Sequence, residues 1–317
     1  MYRFSIRAGA ACAALSFVAF APSARAQLLM GTGDRDEPMY LVNLGTIRPT
    51  NQYPTQVNIA DSTPLFTGFS VTGMAADDPH RQVYFLDFGT SRLYKFSYDN
   101  PGATQLVGVV RQRNANNDPQ SLQSLALDTR TGRLFGTYNI GGTPGEGIYE
   151  LNYQNPPVVG GAPAIFTDQV LSFNALPGGE GEWDVRNLDY DPLTNKIYGI
   201  DDDNDGATGR GLYSFDINSD TAQFVVGSPT HRRVETDFDG LATGGGKAYW
   251  TTDEPGFVYI YDLVNGGAFN DFLSPVQTDS GPFGGAAYVP GMIPEPSTLS
   301  LLAALGMGVV RARRSRN

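Results

Sequence analysis

Short segments in which apolar and polar residues alternate recur along the chain, and Gly, Asp and Asn separate them. One set runs TGMAAD at 72–77, QVYFLD at 82–87 and RLYKF at 92–96. Alternation with a period of two predicts half-buried β-strands, and the turn residues between the segments predict short antiparallel connections. The pattern therefore predicts an all-β protein.

The same order of segments returns at Ser124, Asn187 and Gly240, which gives a weak repeat of roughly 45 to 63 residues. Each copy reads as a strand, a tight turn, a second strand, a loop and a third strand. A further apolar stretch follows the third strand, as at 104–110, 164–173 and 222–226. Four short antiparallel strands per repeat are typical of a β-propeller blade.

The two ends of the repeated region predict how such a ring closes. Residues 284–289 read as a first strand with no second or third strand behind them, whereas 27–31, 39–43 and 56–60 read as second, third and fourth strands. We therefore predict five four-stranded blades, one of them shared by N- and C-terminal strands, which leaves no open edge in the ring. The alternative fold, a pair of β-sandwiches, would not need complementary ends.

Residues 1–26 have the features of a secretory signal peptide. Basic Arg3 and Arg7 precede an apolar run at 8–21, and Ala24-Arg25-Ala26 forms a small-x-small cleavage site before Gln27. The apolar run is too short for a comfortable permanent membrane span. The predicted propeller domain then covers residues 27–291.

Residues 292–317 contain three ordered parts at the end of the chain. They are a proline-flanked acid, an apolar segment at 299–310 and an arginine cluster; the residues outside the apolar segment are Pro294, Glu295, Pro296, Arg311, Arg313, Arg314 and Arg316. Twelve helical residues extend about 18 Å, short of the roughly 30 Å hydrocarbon core of a bilayer, which favours a transient anchor with its arginines on the cytoplasmic side.

This arrangement resembles the PEP-CTERM sorting signal. The resemblance implies export across the inner membrane of a Gram-negative-type bacterium, recognition of the Pro-Glu-Pro region by a membrane enzyme called an exosortase, and removal of the tail. It also implies a final position at the cell surface or outside the cell, in a setting rich in exopolysaccharide.

Charge and cysteine content exclude several function classes for the body. Seven of the 22 basic residues are terminal arginines, which leaves 15 basic against 33 acidic side chains and a net charge of about −18. Such a surface repels phosphate backbones and anionic lipid. The only cysteine, Cys12, lies in the predicted signal peptide, so the body can form neither a disulfide nor a thiolate metal site.

The sequence offers few candidate catalytic groups. His80 and His231 are the only histidines, each beside arginine in a turn-like segment without a convincing carboxylate partner, so we expect exposed loop histidines. Asp78, Asp128 and Asp191 recur at the ends of predicted first strands, where a carboxylate accepts hydrogen bonds from turn N–H groups. We expect a structural role for them.

One acidic loop is a candidate calcium site. Asp201, Asp203 and Asp205, followed by Gly206, resemble the start of an EF-hand loop, in which alternate oxygens converge on Ca²⁺ and glycine allows the bend. The twelfth loop position, a bidentate acid in that pattern, is Leu212 here, so another ligand would have to come from elsewhere in the fold. A solvated acidic loop is the alternative.

The expected function is that of an exported, non-catalytic binding or structural module of the cell surface or extracellular matrix. Its expected partners are the secretion machinery, an exosortase, and exopolysaccharide or another surface protein. The alternative is a Ca²⁺-dependent propeller hydrolase or lactonase with carboxylates around the central channel. Four aromatic residues are candidates either for stacking on sugar rings or, more commonly at strand positions, for packing between blades: Trp183, Tyr249, Trp250 and Tyr261.

Overall fold

The computed structural model describes residues 26–50, 56–114, 116–139, 145–179, 183–202, 209–229, 238, 240–252, 256–275 and 284–292. Within these ranges the regular structure is β-strand with three short 3₁₀ turns. None of the described helical segments has the length and apolar character needed to cross a membrane. The predicted signal peptide up to Arg25 and the sorting tail from Ile293 onward lie outside the described residues.

The strands form successive antiparallel blades in chain order. Blade 1 contains β1 (Gln27–Gly31), β2 (Tyr40–Thr50) and β3 (Val57–Pro64), and blade 2 contains β4 (Val71–Asp77), β5 (Gln82–Asp87), β6 (Arg92–Ser97) and β7 (Asn100–Gln112). Blade 3 contains β8 (Ala126–Asp128), β9 (Arg133–Tyr138), β10 (Gly147–Leu151) and β12 (Ala162–Ser172), with the short β11 (Val158–Val159) beside β12. Blade 4 contains β13 (Val185–Asp191), β14 (Lys196–Asp201), β15 (Gly211–Asp216) and β16 (Thr221–Gly227). Blade 5 contains β17 (Gly240–Gly244), β18 (Lys247–Thr251), β19 (Phe257–Asp262) and β20 (Asn270–Leu273), and the final strand is β21 (Gly285–Tyr288).

The last strand completes the first blade. β21 pairs antiparallel with β1, placing Ala287 opposite Leu29, and becomes the inner strand of blade 1. The pairing continues beyond the strand, because the Val289 N–H donates to the Gln27 carbonyl at 2.9 Å and the Met292 N–H donates to Gln27 Oε1 at 2.8 Å. The described strands thus form a five-bladed β-propeller closed by both ends of the body, as the sequence predicts.

The buried apolar side chains of the described residues form five clusters, one at each interface between neighbouring blades. Leu41 of blade 1 packs in one cluster with Phe85 of blade 2, and Val258 of blade 5 packs in another with Met30 of blade 1. Because both faces of each blade are covered by a neighbour, its central strands are apolar on both sides. Burial between blades stabilises the ring.

Glycines let the inner strands approach one another around the axis. A Cβ on Gly73 would lie 2.5 Å from the Ser124 carbonyl carbon and 2.7 Å from the Leu125 nitrogen in the next blade. The inner strand β4 also has Cα atoms within 8 Å of β13 and β17, which belong to non-adjacent blades. The central channel is therefore narrow along these strands.

Blades 2 and 3 are joined by an additional strand pair. Their outer strands, β7 and β12, run parallel and place Val109 opposite Ala164 and Gln112 opposite Thr167. The Arg113 guanidinium also pairs with Asp168 at 2.9 Å. The outer strand of a blade normally leaves its backbone N–H and C=O groups open to pairing with another chain. The pairing of β7 with β12 covers this edge in both blades.

Candidate functional site

The tight turns at 78–81, 129–132 and 192–195 lie on one face of the propeller, here called the turn face. Asp77, Asp128 and Asp191 end the three preceding inner strands and each pairs with the first residue of the next strand. The recurring acid in blade 2 is therefore Asp77, and the prediction of Asp78 at this position is wrong by one residue. Asp78 instead begins a 3₁₀ turn with Pro79.

In blades 3 and 4 the recurring carboxylate holds its own turn together. Asp128 accepts the Arg130 N–H at 3.0 Å and the Thr131 hydroxyl at 2.6 Å, and Asp191 accepts the Thr194 N–H at 2.9 Å. Burial of Asp128 opposes its ionisation, but these hydrogen bonds outweigh it and lower the pKa of Asp128. The predicted structural role is confirmed for both residues.

Blade 2 departs from this arrangement. His80 Nδ1 lies 2.9 Å from both carboxylate oxygens of Asp77. The Asp77 side chain is 9% exposed, whereas the His80 side chain is 74% exposed. The prediction that His80 lacks a carboxylate partner is wrong, because the 3₁₀ turn brings it back over a residue three positions earlier. His231 lies outside the described residues.

Three adjoining clefts form a groove across blades 2, 3 and 4 on the turn face. Their volumes are about 460, 390 and 510 Å³. Tyr153 and Gln154 line both the first and the second cleft, and Thr131 and Arg133 line both the second and the third. We call this continuous surface the turn-face groove.

The lining of the groove is polar and carries both charges. Lys95 lies at its blade 2 end, and Arg130 and Lys196 lie at its blade 4 end. Between them, the Arg133 guanidinium forms a two-point pair with Glu150, with N–O distances of 3.1 and 2.7 Å. Four basic and four acidic side chains line the groove in all, whereas the body as a whole is strongly acidic.

Two phenols form part of the blade 2 end of the groove. The rings of Tyr84 and Tyr153 meet edge to face, with centroids 5.2 Å apart. Burial raises the pKa of Tyr84, and the neighbouring Tyr153 raises it further. Burial also raises the pKa of Tyr153. Both phenols are therefore neutral hydrogen-bond donors at neutral pH.

The predicted calcium ligands are placed only in part. Asp201 ends β14, is fully buried, and accepts the Asp184 N–H on Oδ1 at 3.0 Å. Asp203 and Asp205 lie outside the described residues. In the described ranges, no group of three or more His, Cys, Asp or Glu side chains is arranged to hold a metal ion. Calcium binding stays a prediction.

The four candidate aromatic residues pack between blades. Their side chains are 0 to 8% exposed and belong to three interface clusters: Trp183, Tyr249, Trp250 and Tyr261. The indole N–H of Trp183 donates to the Pro177 carbonyl at 3.0 Å. These rings present no open stacking face, so packing is the interpretation that the structure supports. The predicted sorting residues, Pro294 to Pro296 and the terminal arginines, lie outside the described part of the chain.

Comparison with known proteins shows the fold and leaves the family open. No family model matches the sequence, and no curated protein is similar to it. Among solved structures, a chain of a nidogen/laminin complex is 13% identical, with a TM-score of 0.50 over 84% of this chain and 99% of that one. At this identity the likeness concerns the β-propeller fold alone.

Two further structures are similar at lower scores. A protein of unknown function from Bacteroides thetaiotaomicron is 13% identical, with a TM-score of 0.46 over 82% of this chain, which spans 61% of that structure. TolB from Acinetobacter baumannii is 11% identical, with a TM-score of 0.43 over 84% of this chain and 67% of its own length.

Proposed function

We propose that this protein is an exported β-propeller of the cell surface or extracellular matrix that binds an extended polysaccharide along the turn-face groove. The observation that carries the binding part is the continuity of three polar clefts over blades 2, 3 and 4. A single small molecule fills one cleft, whereas a polymer contacts all three in succession. The fold itself assigns no activity.

The groove has the chemistry that sugar hydroxyls require. Amide groups of Gln154, Asn155 and Asn195 line it beside guanidinium and carboxylate groups. Planar amides and charged groups donate and accept several hydrogen bonds each, so they match hydroxyl groups that do both. The sugar specificity then comes mainly from hydrogen bonds, because the four aromatic rings considered for stacking lie between the blades.

The export part of the proposal is supported by the two terminal sequences. The signal peptide supports secretion with cleavage after Ala26. The resemblance of residues 292–317 to the PEP-CTERM signal supports transient anchoring, followed by exosortase processing. An exported location would also bring the groove into contact with exopolysaccharide.

Polysaccharide binding is tested with an array of purified bacterial exopolysaccharides probed with the intact protein. We expect binding that weakens by about tenfold or more in an Arg130→Ala/Lys196→Ala double variant, since both side chains line the groove. Arg92→Ala is the matched control, because Arg92 is exposed and begins β6 at the opposite end of the blades. Equal binding by all three proteins would contradict the proposal that the polysaccharide binds in the turn-face groove. No binding by the wild type would favour a purely structural surface protein.

Export and processing are tested by mass spectrometry of the protein recovered from its producing cells. We expect an N-terminus at Gln27 and a C-terminus that lacks Arg311 to Arg316. A Glu295→Ala variant should accumulate with its tail intact, whereas a Ser297→Ala variant should be processed normally. An unprocessed wild-type tail in the mature protein would contradict the exosortase step.

The alternative, a Ca²⁺-dependent hydrolase or lactonase at the central channel, needs acids that converge on one point. Asp77, Asp128 and Asp191 surround the turn-face mouth, but each is hydrogen-bonded within its own turn. The inner strands also approach closely. We therefore favour binding at the groove over catalysis at the channel.

A further inference from the structure

The repeats provide an internal comparison for the turn that carries His80. Thr131 and Thr194 occupy the position of His80 in blades 3 and 4, three residues after the recurring aspartate. The next residue has a left-handed backbone in each case, and is Gly132 in blade 3 and Asn195 in blade 4. Glycine and asparagine tolerate this conformation best.

Blade 2 replaces both of these residues with less suitable ones. Arg81 takes the left-handed position with φ 53°, and an imidazole replaces the threonine. A threonine is enough to satisfy the aspartate, as the 2.6 Å bond from Thr131 to Asp128 demonstrates. The structure of the turn therefore does not by itself require a histidine at this position.

We propose that His80, positioned by Asp77, is a general base that activates water for hydrolysis of carboxylic esters in the blade 2 end of the turn-face groove. An ionised carboxylate only accepts hydrogen bonds, so the Asp77 contact keeps the proton on Nδ1. Nε2 then carries the free lone pair. The 74% exposed ring leaves that atom open to water and substrate.

The same cleft holds two donors for the oxygen that becomes negative during attack. Tyr84 Oη and Lys95 Nζ each lie 3.4 Å from one acceptor, Gln82 Oε1. Such long hydrogen bonds are weak and easily exchanged. A substrate carbonyl oxygen in place of the Gln82 oxygen would receive both donors, which is the arrangement that stabilises an oxyanion.

The reaction needs no other component. Water attacks the ester carbonyl carbon while His80 Nε2 takes one of its protons, which yields a tetrahedral intermediate. The carbon–oxygen bond to the alcohol then breaks, and the departing oxygen takes the proton from Nε2. The products are a carboxylic acid and an alcohol, with no change in oxidation state. Esters fit the site because an alcohol leaves more readily than an amine.

The test measures saturable hydrolysis of 4-nitrophenyl acetate by the purified full-length protein. We expect kcat to fall about a hundredfold or more in His80→Gln, which retains an amide donor for Asp77. His231→Gln, the change at the other histidine, is the matched control and should leave kcat unchanged. Tyr84→Phe should lower kcat with little effect on KM, because oxyanion contacts strengthen only in the transition state.

The Asp77→Asn variant tests whether Asp77 orients the His80 imidazole or only stabilises the fold. This variant should shift the rate-against-pH profile, because the Asp77 carboxylate contacts the imidazole that acts as the base. The other charged or phenolic groups near that ring are Asp78, Arg81, Lys95 and the two tyrosines. A purely structural Asp77 would alter the melting temperature and leave the profile unmoved. Equal rates for the two histidine variants, or a wild-type rate no greater than that of free imidazole at equal concentration, would overturn the proposal. Either result would leave polysaccharide binding standing, since the array measures binding alone.

Discussion

Asp201 in blade 4 and Asp87 in blade 2 accept equivalent backbone hydrogen bonds. Both residues end the second strand of their blade, and both accept the N–H of the residue just before the inner strand. The donors are Asp184 N at 3.0 Å and Ser70 N at 3.2 Å. The carboxylate of Asp201 thus has a structural role that does not depend on a metal.

This equivalence predicts that Asp201→Ala destabilises the protein in the presence of a calcium chelator. Loss of the carboxylate leaves the partly buried Asp184 N–H without this acceptor, which costs about 1–3 kcal/mol of unfolding free energy. Denaturant unfolding of both proteins in EDTA measures the difference. Asp216→Ala, a change at an exposed turn, is the control and should cost less. Equal stability of wild type and Asp201→Ala would contradict the structural role.

Calcium binding is better tested at Asp203 and Asp205, because a change at Asp201 would also remove its structural hydrogen bond. If the loop binds Ca²⁺, millimolar Ca²⁺ should raise the wild-type melting temperature, since a ligand of the folded state stabilises it. An Asp203→Asn/Asp205→Asn double variant should lose that shift and keep its stability in EDTA. Calorimetric titration gives the affinity directly. A wild-type protein with no heat of binding and no shift would refute the calcium site.

A methyl group at Gly73 should destabilise the ring. The new Cβ would lie 2.5 Å from the Ser124 backbone, so two inner strands would have to separate. We expect Gly73→Ala to lose about 1–3 kcal/mol, the usual cost of overpacking. Gly102→Ala is the matched control, because its Cβ meets nothing within 4 Å. Thermal unfolding of the two variants makes the comparison, and equal melting temperatures would mean that the inner strands have room to move apart.

Asp189 should make stability depend on pH. Burial raises its pKa well above the ordinary value of 3.8, against hydrogen bonds from Thr243 and Tyr190 that lower it, and Asp191 raises it further. The folded state therefore favours the protonated acid, so this contribution is complete below pH 3.8 and is lost as the pH rises through the folded pKa.

The measurement compares wild type with Asp189→Asn by denaturant unfolding from about pH 4 to about pH 7.5. The wild-type free energy of unfolding should fall relative to that of the variant as the pH rises, because the amide does not titrate. A difference that stays constant over this range would show that Asp189 is ionised in the folded protein. Replacing the carboxyl by an amide also changes the free energy of unfolding by an amount that does not depend on pH. Comparing how the two free energies change with pH removes that constant difference.

The strand pattern and the closure of the ring were predictable from local features. Alternation at 82–87 and the turns before it carry enough information for strands, and complementary ends at 27–31 and 284–289 indicated the shared blade. The error of one residue at Asp78 arose because two aspartates are adjacent there. Only the strand register distinguishes Asp77 as the recurring acid.

The contacts that form the candidate site lie beyond what periodicity can indicate. Tyr84 and Tyr153 are distant in sequence and meet because blades 2 and 3 are neighbours in the ring. The parallel pairing of β7 with β12 joins two repeats that each look complete by themselves. His80 gained its carboxylate partner through the backbone geometry of one 3₁₀ turn.

The amino-acid sequence alone thus determines the strand spacing and the turns, and it predicts the terminal sorting sequences, because each of these depends on residues a few positions apart. The Asp77–His80 pair depends on the backbone geometry of one turn, whereas the groove and the narrow channel depend on how blades pack around an axis. That packing brings together side chains from separate repeats, and their burial and distances are properties of the assembled ring.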